Sequence, residues 1–65
     1  MKSFGDNIRK NRILRGYSQK KLGELLGFSA RTISDWECGN TEPNILTIKK
    51  IANVLQVSID ELFDF

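Results

Sequence analysis

Residues 18–39 decide the fold of this chain and read SQKKLGELLGFSARTISDWECG. Ser18 and Ser29 each precede a short helical segment, and serine is a preferred N-cap because its side-chain oxygen accepts a bond from a free backbone N–H. Gly27 lies between the two segments, where a helix that ends in a left-handed residue favours glycine. The stretch therefore predicts two short helices joined by a tight turn, which is the organisation of a helix-turn-helix.

The same signals predict three more helices. Ser58 is a third serine cap and forms a capping box with Glu61, while Asn44 caps a helix that opens directly after Pro43. The helices are predicted near residues 3–15, 18–26, 29–38, 44–55 and 58–63. In the fourth helix, the inward positions by helical spacing are Ile45, Ile48, Ile51, Ala52 and Leu55. No stretch alternates long enough to predict a strand, so the expected fold class is all-α, with residues 1–65 forming one compact five-helix domain.

Several functional classes are disfavoured by composition. The chain has no histidine and one cysteine, Cys38, so we expect no internal disulfide and no metal site. No apolar run approaches the length of about 20 residues that spans a bilayer, and no signal peptide follows the start. We therefore expect a cytoplasmic protein with no cofactor, no membrane contact and no evident small-molecule ligand.

Charge is distributed unevenly along the chain. Residues 1–31 hold eight basic and two acidic side chains, a net charge of +6, whereas residues 32–65 hold two basic and six acidic side chains, a net charge of −4. Such an arrangement lets one end of the molecule face phosphates while the other end stays away from them.

The third helix has two different faces when its residues are placed about 100° apart. The inward face is mostly apolar and holds Ser29, Ile33, Trp36 and Glu37. The outward face is polar and holds Arg31, Ser34, Asp35 and Cys38, with Ala30 at its flank.

The outward side chains suit the edges of base pairs. Arg31 can donate two bonds to guanine O6 and N7, and Asp35 can accept one from cytosine N4. Ala30 can pack on a thymine methyl group, and Ser34 is permissive.

The motif resembles the lambda-repressor/Cro-like, or Xre-type, helix-turn-helix family over roughly residues 4–63. The residues that carry the resemblance are Ser18, Gln19, Leu22, Gly23, Leu26, Gly27, Phe28, Ser29, Thr32, Ile33, Ser34, Trp36, Glu37, Cys38, Gly39 and Pro43, and it continues through Ile48, Ile51, Ala52, Leu55 and Val57–Leu62. The resemblance implies a DNA-binding regulator of transcription, bacterial or phage-encoded, whose third helix is the recognition helix. It places Ala30, Arg31, Ser34 and Asp35 at base-reading positions.

The resemblance also implies contacts to the phosphate backbone. Gln19, with the start of the second helix, matches one such contact, and Asn40 and Thr41, in the loop after the third helix, match another. A helix N-terminus at Ser18 favours an anion through its free N–H groups and its dipole, and Lys20 adds positive charge there.

Two further features follow from the family pattern. Arg12 and Glu37 occupy positions that often form an ion pair beneath the motif, so we expect that pair here. Gly23 stands where the family usually has alanine, which costs up to about 1 kcal/mol of helix propensity but still allows close packing of the second helix on the third.

Four apolar residues fit poorly into the inward faces: Leu46, Ile59, Phe63 and Phe65. Exposed apolar groups collected in one region usually mark a contact surface, and these lie in the acidic half of the chain. We therefore expect a homodimer on double-stranded DNA with a palindromic operator. The alternative is that these residues cover the base of the core.

Three functions compete at this point. The first is a sequence-specific transcriptional regulator, with repression favoured. The second is a protein-interaction module that keeps the fold without reading DNA, and such a module should lack both the basic residues at the second helix and the polar outward face. The third is an enzyme, for which the chain offers no acid–base or nucleophile constellation.

Overall fold

The computed structural model describes residues 3–63 and places five helices in this part of the chain. They are α1 (Phe4–Leu14), α2 (Gln19–Leu26), α3 (Ala30–Cys38), α4 (Ile45–Leu55) and α5 (Ile59–Leu62). Residues 3–63 contain no strand. The all-α, five-helix prediction is therefore confirmed. No helix end differs from its predicted position by more than one residue.

The predicted caps begin the helices. The side chains of Ser18, Ser29 and Asn44 each accept a bond from the backbone N–H three residues later. A reciprocal capping box is present at Ser3, whose hydroxyl accepts from the Asp6 N–H while the Asp6 carboxylate accepts from the Ser3 N–H. This box was not predicted.

The box that was predicted at Ser58 is only half formed. The Ser58 hydroxyl accepts from the Glu61 N–H at 3.1 Å. The Glu61 carboxylate lies 3.4 Å from that same hydroxyl, so it accepts from the side chain of Ser58 and does not reach back to the backbone N–H.

The helix ends use left-handed residues, as the glycines predicted. Gly27 has φ 85° at the end of α2, and Gly39 has φ 81° at the end of α3. The left-handed residue at the end of α4 was not predicted, because it is Gln56, with φ 58°, and not a glycine. For a residue with a Cβ, that conformation costs roughly 1–2 kcal/mol. The packing of α4 before Gln56 and of α5 after it outweighs the cost.

One core is shared by all five helices. It consists of Ile8, Leu22, Leu26, Ile33, Trp36, Ile48, Ile51, Ala52, Leu55 and Leu62. One predicted inward position is wrong, because Ile45 is 58% exposed. The angular position of Ile45 around α4 is that of the inward face, but the residue lies in the first turn of the helix. Burial also requires a neighbouring helix that faces the side chain.

Helix α1 is tied to the ends of α4 and α5 by polar side chains. The Arg15 Nε donates to the Leu55 carbonyl at 3.0 Å, and the Asn7 Nδ2 donates to the Leu62 carbonyl at 2.9 Å. These carbonyls belong to the last turns of their helices, where no partner exists within the helix. Both bonds join residues far apart in the sequence, and helical periodicity gives no signal for them.

Two glycines allow helices to approach closely. A Cβ on Gly5 would collide with the Trp36 carbonyl oxygen and lie 2.7 Å from that of Glu37, so α1 touches the end of α3 through its backbone. A Cβ on Gly23 would lie 2.5 Å from the Phe28 carbonyl oxygen. Gly23 therefore permits the tight turn between α2 and α3, in keeping with the close packing that the sequence allowed.

Replacement of Gly5 by alanine tests the contact between α1 and α3. We expect Gly5→Ala to lower the free energy of unfolding by about 1–3 kcal/mol, because the methyl group has no room against two backbone carbonyls. Alanine is the better helix former by up to about 1 kcal/mol, so propensity alone predicts the opposite sign. Lys10→Ala, at an exposed position of the same helix, should change stability by less than about 0.5 kcal/mol. Denaturant melts decide, and a Gly5→Ala variant as stable as the wild type would contradict this packing.

Candidate nucleic-acid interface

Helix α3 is buried on one face and open on the other. Ile33, Trp36 and Glu37 are buried, as the helical angles predicted, and the Phe28 ring packs edge-on against Trp36 with centroids 5.0 Å apart. The opposite face carries the four predicted base-reading residues. Of these, Arg31 is exposed, whereas Ala30, Ser34 and Asp35 are half-buried.

A buried polar network holds α3 against α1 and α2. The Arg12 Nε lies 2.6 Å from Glu37 Oε2, and the Arg12 Nη2 donates to Glu37 Oε1 at 3.2 Å. The Gln19 Nε2 donates to Glu37 Oε1 at 3.1 Å, and the Arg12 Nη1 donates to the Tyr17 carbonyl at 2.8 Å. The structure thus brings Arg12 and Glu37 together in a bidentate ion pair. The side chains are 12% and 4% exposed respectively.

The structure gives Gln19 a role that the sequence did not predict. Its amide nitrogen bonds to the Glu37 carboxylate, so one of its two N–H groups serves the internal network. The second N–H takes no part in that bond, and the half-buried side chain lies at the first position of α2.

The N-terminus of α2 has the features of an anion site. The Ser18 hydroxyl accepts from the Lys21 N–H at 2.9 Å, which leaves its own proton to donate outward. The backbone N–H groups of Gln19 and Lys20 precede the first N–H that the helix itself can bond. Lys20 and Lys21 are both exposed at this end.

The loop after α3 is anchored through its backbone. The Asn40 N–H donates to the Asp35 carbonyl at 2.9 Å, and the Thr41 N–H lies 3.5 Å from the same oxygen. Any contact from this loop to a phosphate therefore depends on the side chains of Asn40 and Thr41, and both residues are exposed.

Arg31 and Asp35 face each other on the open side of α3. The Arg31 Nε lies 3.9 Å from Asp35 Oδ1, and the side chains are 88% and 30% exposed respectively. Their spacing of four residues was the available signal, because residues four apart are neighbours on a helix surface. The two were predicted as separate base readers, and their pairing was not foreseen.

Comparison with known proteins identifies the family. A helix-turn-helix family model matches residues 8–62, which is most of the chain. The chain belongs to the lambda-repressor/Cro-like helix-turn-helix family.

A solved structure and a curated relative resemble this helix-turn-helix protein over nearly its full length. The structure is the P22 c2 repressor protein in complex with synthetic operator 9T, with 34% identity, a TM-score of 0.91 and coverage of 98% of this chain and 97% of that one. The relative is YonR of Bacillus subtilis, a prophage-derived uncharacterized HTH-type transcriptional regulator that is 37% identical over 59 residues. The match spans 91% of this chain but 55% of YonR, so the chain covers about half the length of that relative.

The same fold also occurs inside an enzyme. Hydroxypropylphosphonic acid epoxidase from S. wedmorenis matches 92% of this chain with 30% identity and a TM-score of 0.86, but the match covers only 32% of the epoxidase. The family model describes a helix-turn-helix, and curated relatives such as YonR are named as HTH-type transcriptional regulators, which agrees with the prediction that this protein is not an enzyme.

The apolar residues predicted for a dimer contact fall into different environments. Leu46 is 67% exposed, whereas Ile59 is half-buried and packs against the core, so the prediction that Ile59 is left over is wrong in part. Phe63 is 44% exposed and stacks on Phe4 with ring centroids 4.8 Å apart. Phe65 lies outside the described residues.

Neither a cluster of metal-ligating side chains nor a membrane-spanning helix is present among the described residues. Within residues 3–63, no group of three or more metal-ligating side chains is gathered in one place. None of the helices described is long and apolar enough to cross a bilayer.

The coupling of Arg12 and Glu37 can be measured directly. We expect Glu37→Gln and Arg12→Met each to cost about 3–5 kcal/mol, because each leaves the partner charge buried without its counter-ion. The double variant should cost clearly less than the two losses added together, since neither charge is then stranded. Denaturant melts of the four proteins give the coupling energy. Additive losses would show that the two side chains are not coupled.

Proposed function

We propose that this protein is a transcriptional repressor that binds a palindromic operator as a homodimer, with α3 in the major groove. The supporting observation is the division of α3 into a face buried on Ile33 and Trp36 and an open face that carries Arg31. A helix held in this way can be presented to base pairs without disturbing the core. The proposal places the protein in the cytoplasm, with the DNA it would bind.

The two ends of the motif suit the phosphates on either side of the groove. The N-terminus of α2 offers the Ser18 hydroxyl, the free N–H groups of Gln19 and Lys20, and the Lys20 ammonium group. The loop after α3 offers the side chains of Asn40 and Thr41. Contacts of this kind fix the orientation of a protein on the duplex but carry no sequence information.

The open face of α3 would then supply the sequence reading. The Arg31 guanidinium, on a side chain that is 88% exposed, suits guanine O6 and N7. Ala30 suits a thymine methyl group, and Ser34 and Asp35 lie one turn further along the same helix. The relatives support this role, since one neighbour is a repressor solved with a synthetic operator.

The alternative is an interaction module that keeps the fold without reading DNA. The epoxidase shows that the fold alone does not decide between them. A regulator should shift random duplex DNA in a salt-dependent way, because its cationic side chains release counter-ions from phosphates. Absence of any salt-dependent shift would favour the module.

Arg31 and Lys20 should have different effects on DNA binding. We expect Arg31→Ala to cost about 1–3 kcal/mol on the preferred site and to relax the base preference at one position of each half-site. Lys20→Ala should weaken all sequences alike and flatten the dependence of affinity on salt. Lys49→Ala, an exposed lysine on α4, should change neither. Selection of bound sites from a random duplex pool measures all three, and an unchanged base preference in Arg31→Ala would refute the assignment.

The dimer contact is tested by adding charge to its exposed residues. Leu46→Glu combined with Phe63→Glu should lower the affinity for a full operator and leave a monomer in sedimentation, because each glutamate would be buried without a partner. Ile13→Glu combined with Leu14→Glu is the matched control. Both are exposed, and Leu14 lies about 15 Å along α1 from Phe4 at 1.5 Å per residue. If the first double variant is folded and binds the operator as the wild type does, this interface is wrong.

A further inference from the structure

The open face of α3 contains a pairing that the proposed function does not yet use. The Arg31 Nε lies 3.9 Å from Asp35 Oδ1, one helical turn away. An acidic side chain on a surface that approaches phosphates is unfavourable for DNA binding in general. Its position beside the most exposed cationic side chain of that surface calls for a more specific explanation.

Asp35 is the fixed member of the pair. Its carbonyl accepts from the Asn40 N–H at 2.9 Å, and its Oδ1 lies 3.5 Å from the Asn40 amide nitrogen. Its side chain is 30% exposed, whereas that of Arg31 is 88% exposed. The carboxylate therefore lies partly buried beside the Asn40 side chain of the loop, while the arginine side chain is largely exposed.

The atom that faces Asp35 is also informative. Arg31 approaches the carboxylate through its Nε, so the N–H groups on Nη1 and Nη2 are not needed for that contact. A guanidinium holds its five N–H groups in one rigid plane, so fixing Nε also fixes the direction of the other two nitrogens. Two nitrogens at that end match the two acceptors of guanine, O6 and N7.

We propose that Asp35 is a positioning residue that aims Arg31 at a guanine and thereby sets the specificity of the recognition helix. This inference rests on the proposed function, because it concerns the same surface on DNA. Asp35 then acts on specificity through Arg31, and a direct contact to cytosine N4 is the competing outcome of the test.

Asp35 should have two effects of opposite sign on DNA binding, and this makes the proposal testable. In water, an exposed pair of this kind contributes little, so its loss should leave folding unchanged. In the groove, where water is displaced, the pair strengthens and holds the arginine in place. At the same time, the negative charge repels the phosphates of any duplex. Asp35 should therefore weaken binding to random DNA and strengthen the preference for guanine.

The test uses the wild type, Asp35→Asn, Arg31→Ala and the double variant. Each is titrated with the selected operator, with the operator changed at the guanine assigned to Arg31, and with random duplex. A two-bond arginine contact favours guanine over another base by roughly 5- to 150-fold in affinity. We expect this ratio to fall at least about threefold in Asp35→Asn, while the affinity for random duplex rises. In the Arg31→Ala background, Asp35→Asn should not change discrimination at this position. Thermal melts should show both single variants folded.

Glu24→Gln is the matched control, because Glu24 is an exposed acidic residue on α2, the other helix of the motif. It should tighten binding to random duplex without changing the preference for guanine. Undiminished discrimination at the guanine in Asp35→Asn, or a changed preference at a neighbouring base pair only, would overturn the positioning role and favour the cytosine contact. Failure of the wild type to bind DNA at all would overturn the proposed function itself.

Discussion

The buried carboxylate of Glu37 is the constraint on which the rest of the motif depends. It accepts two bonds from Arg12 of α1 and one from Gln19 of α2, and it is itself part of α3. Removing a charge from water costs several kcal/mol, and that cost is offset only when the geometry is good and the remaining polar atoms are bonded. No buried side-chain nitrogen or oxygen among residues 3–63 lacks a partner. The position of Glu37 therefore fixes three helices at once.

The same end of α3 is fixed a second time by close packing. Gly5 brings the backbone of α1 against the carbonyl groups of Trp36 and Glu37, where no side chain fits. An ion pair is directional but leaves some freedom of distance, whereas a backbone contact fixes the distance and leaves the direction free. Together they hold the end of α3 against α1, and the Gln19 side chain ties the start of α2 to the same carboxylate.

The fold by itself does not determine the activity. A domain of this shape occurs in a repressor solved with a synthetic operator and in about a third of an epoxidase. The chemistry that bears on activity in this chain lies on the surface that the core leaves open: a guanidinium, a carboxylate beside it and a helix N-terminus with free N–H groups. Function is carried by such sites and not by the scaffold.

The sequence by itself determined the helices and the two faces of α3, because caps, glycine ends and helical periodicity are local properties. Ser18, Gly27 and Ile33 are examples, and each behaves as its neighbours in the chain predicted. Only the tertiary structure decided which residues meet across helices, and for that reason the exposure of Ile45, the partial burial of Ile59 and the bond from Gln19 to Glu37 were not foreseen. The ion pair between Arg12 and Glu37 was expected only through the family pattern, since 25 residues separate the two along the chain. Periodicity gives the direction of a side chain around its own helix, but its contacts depend on where the other helices pack.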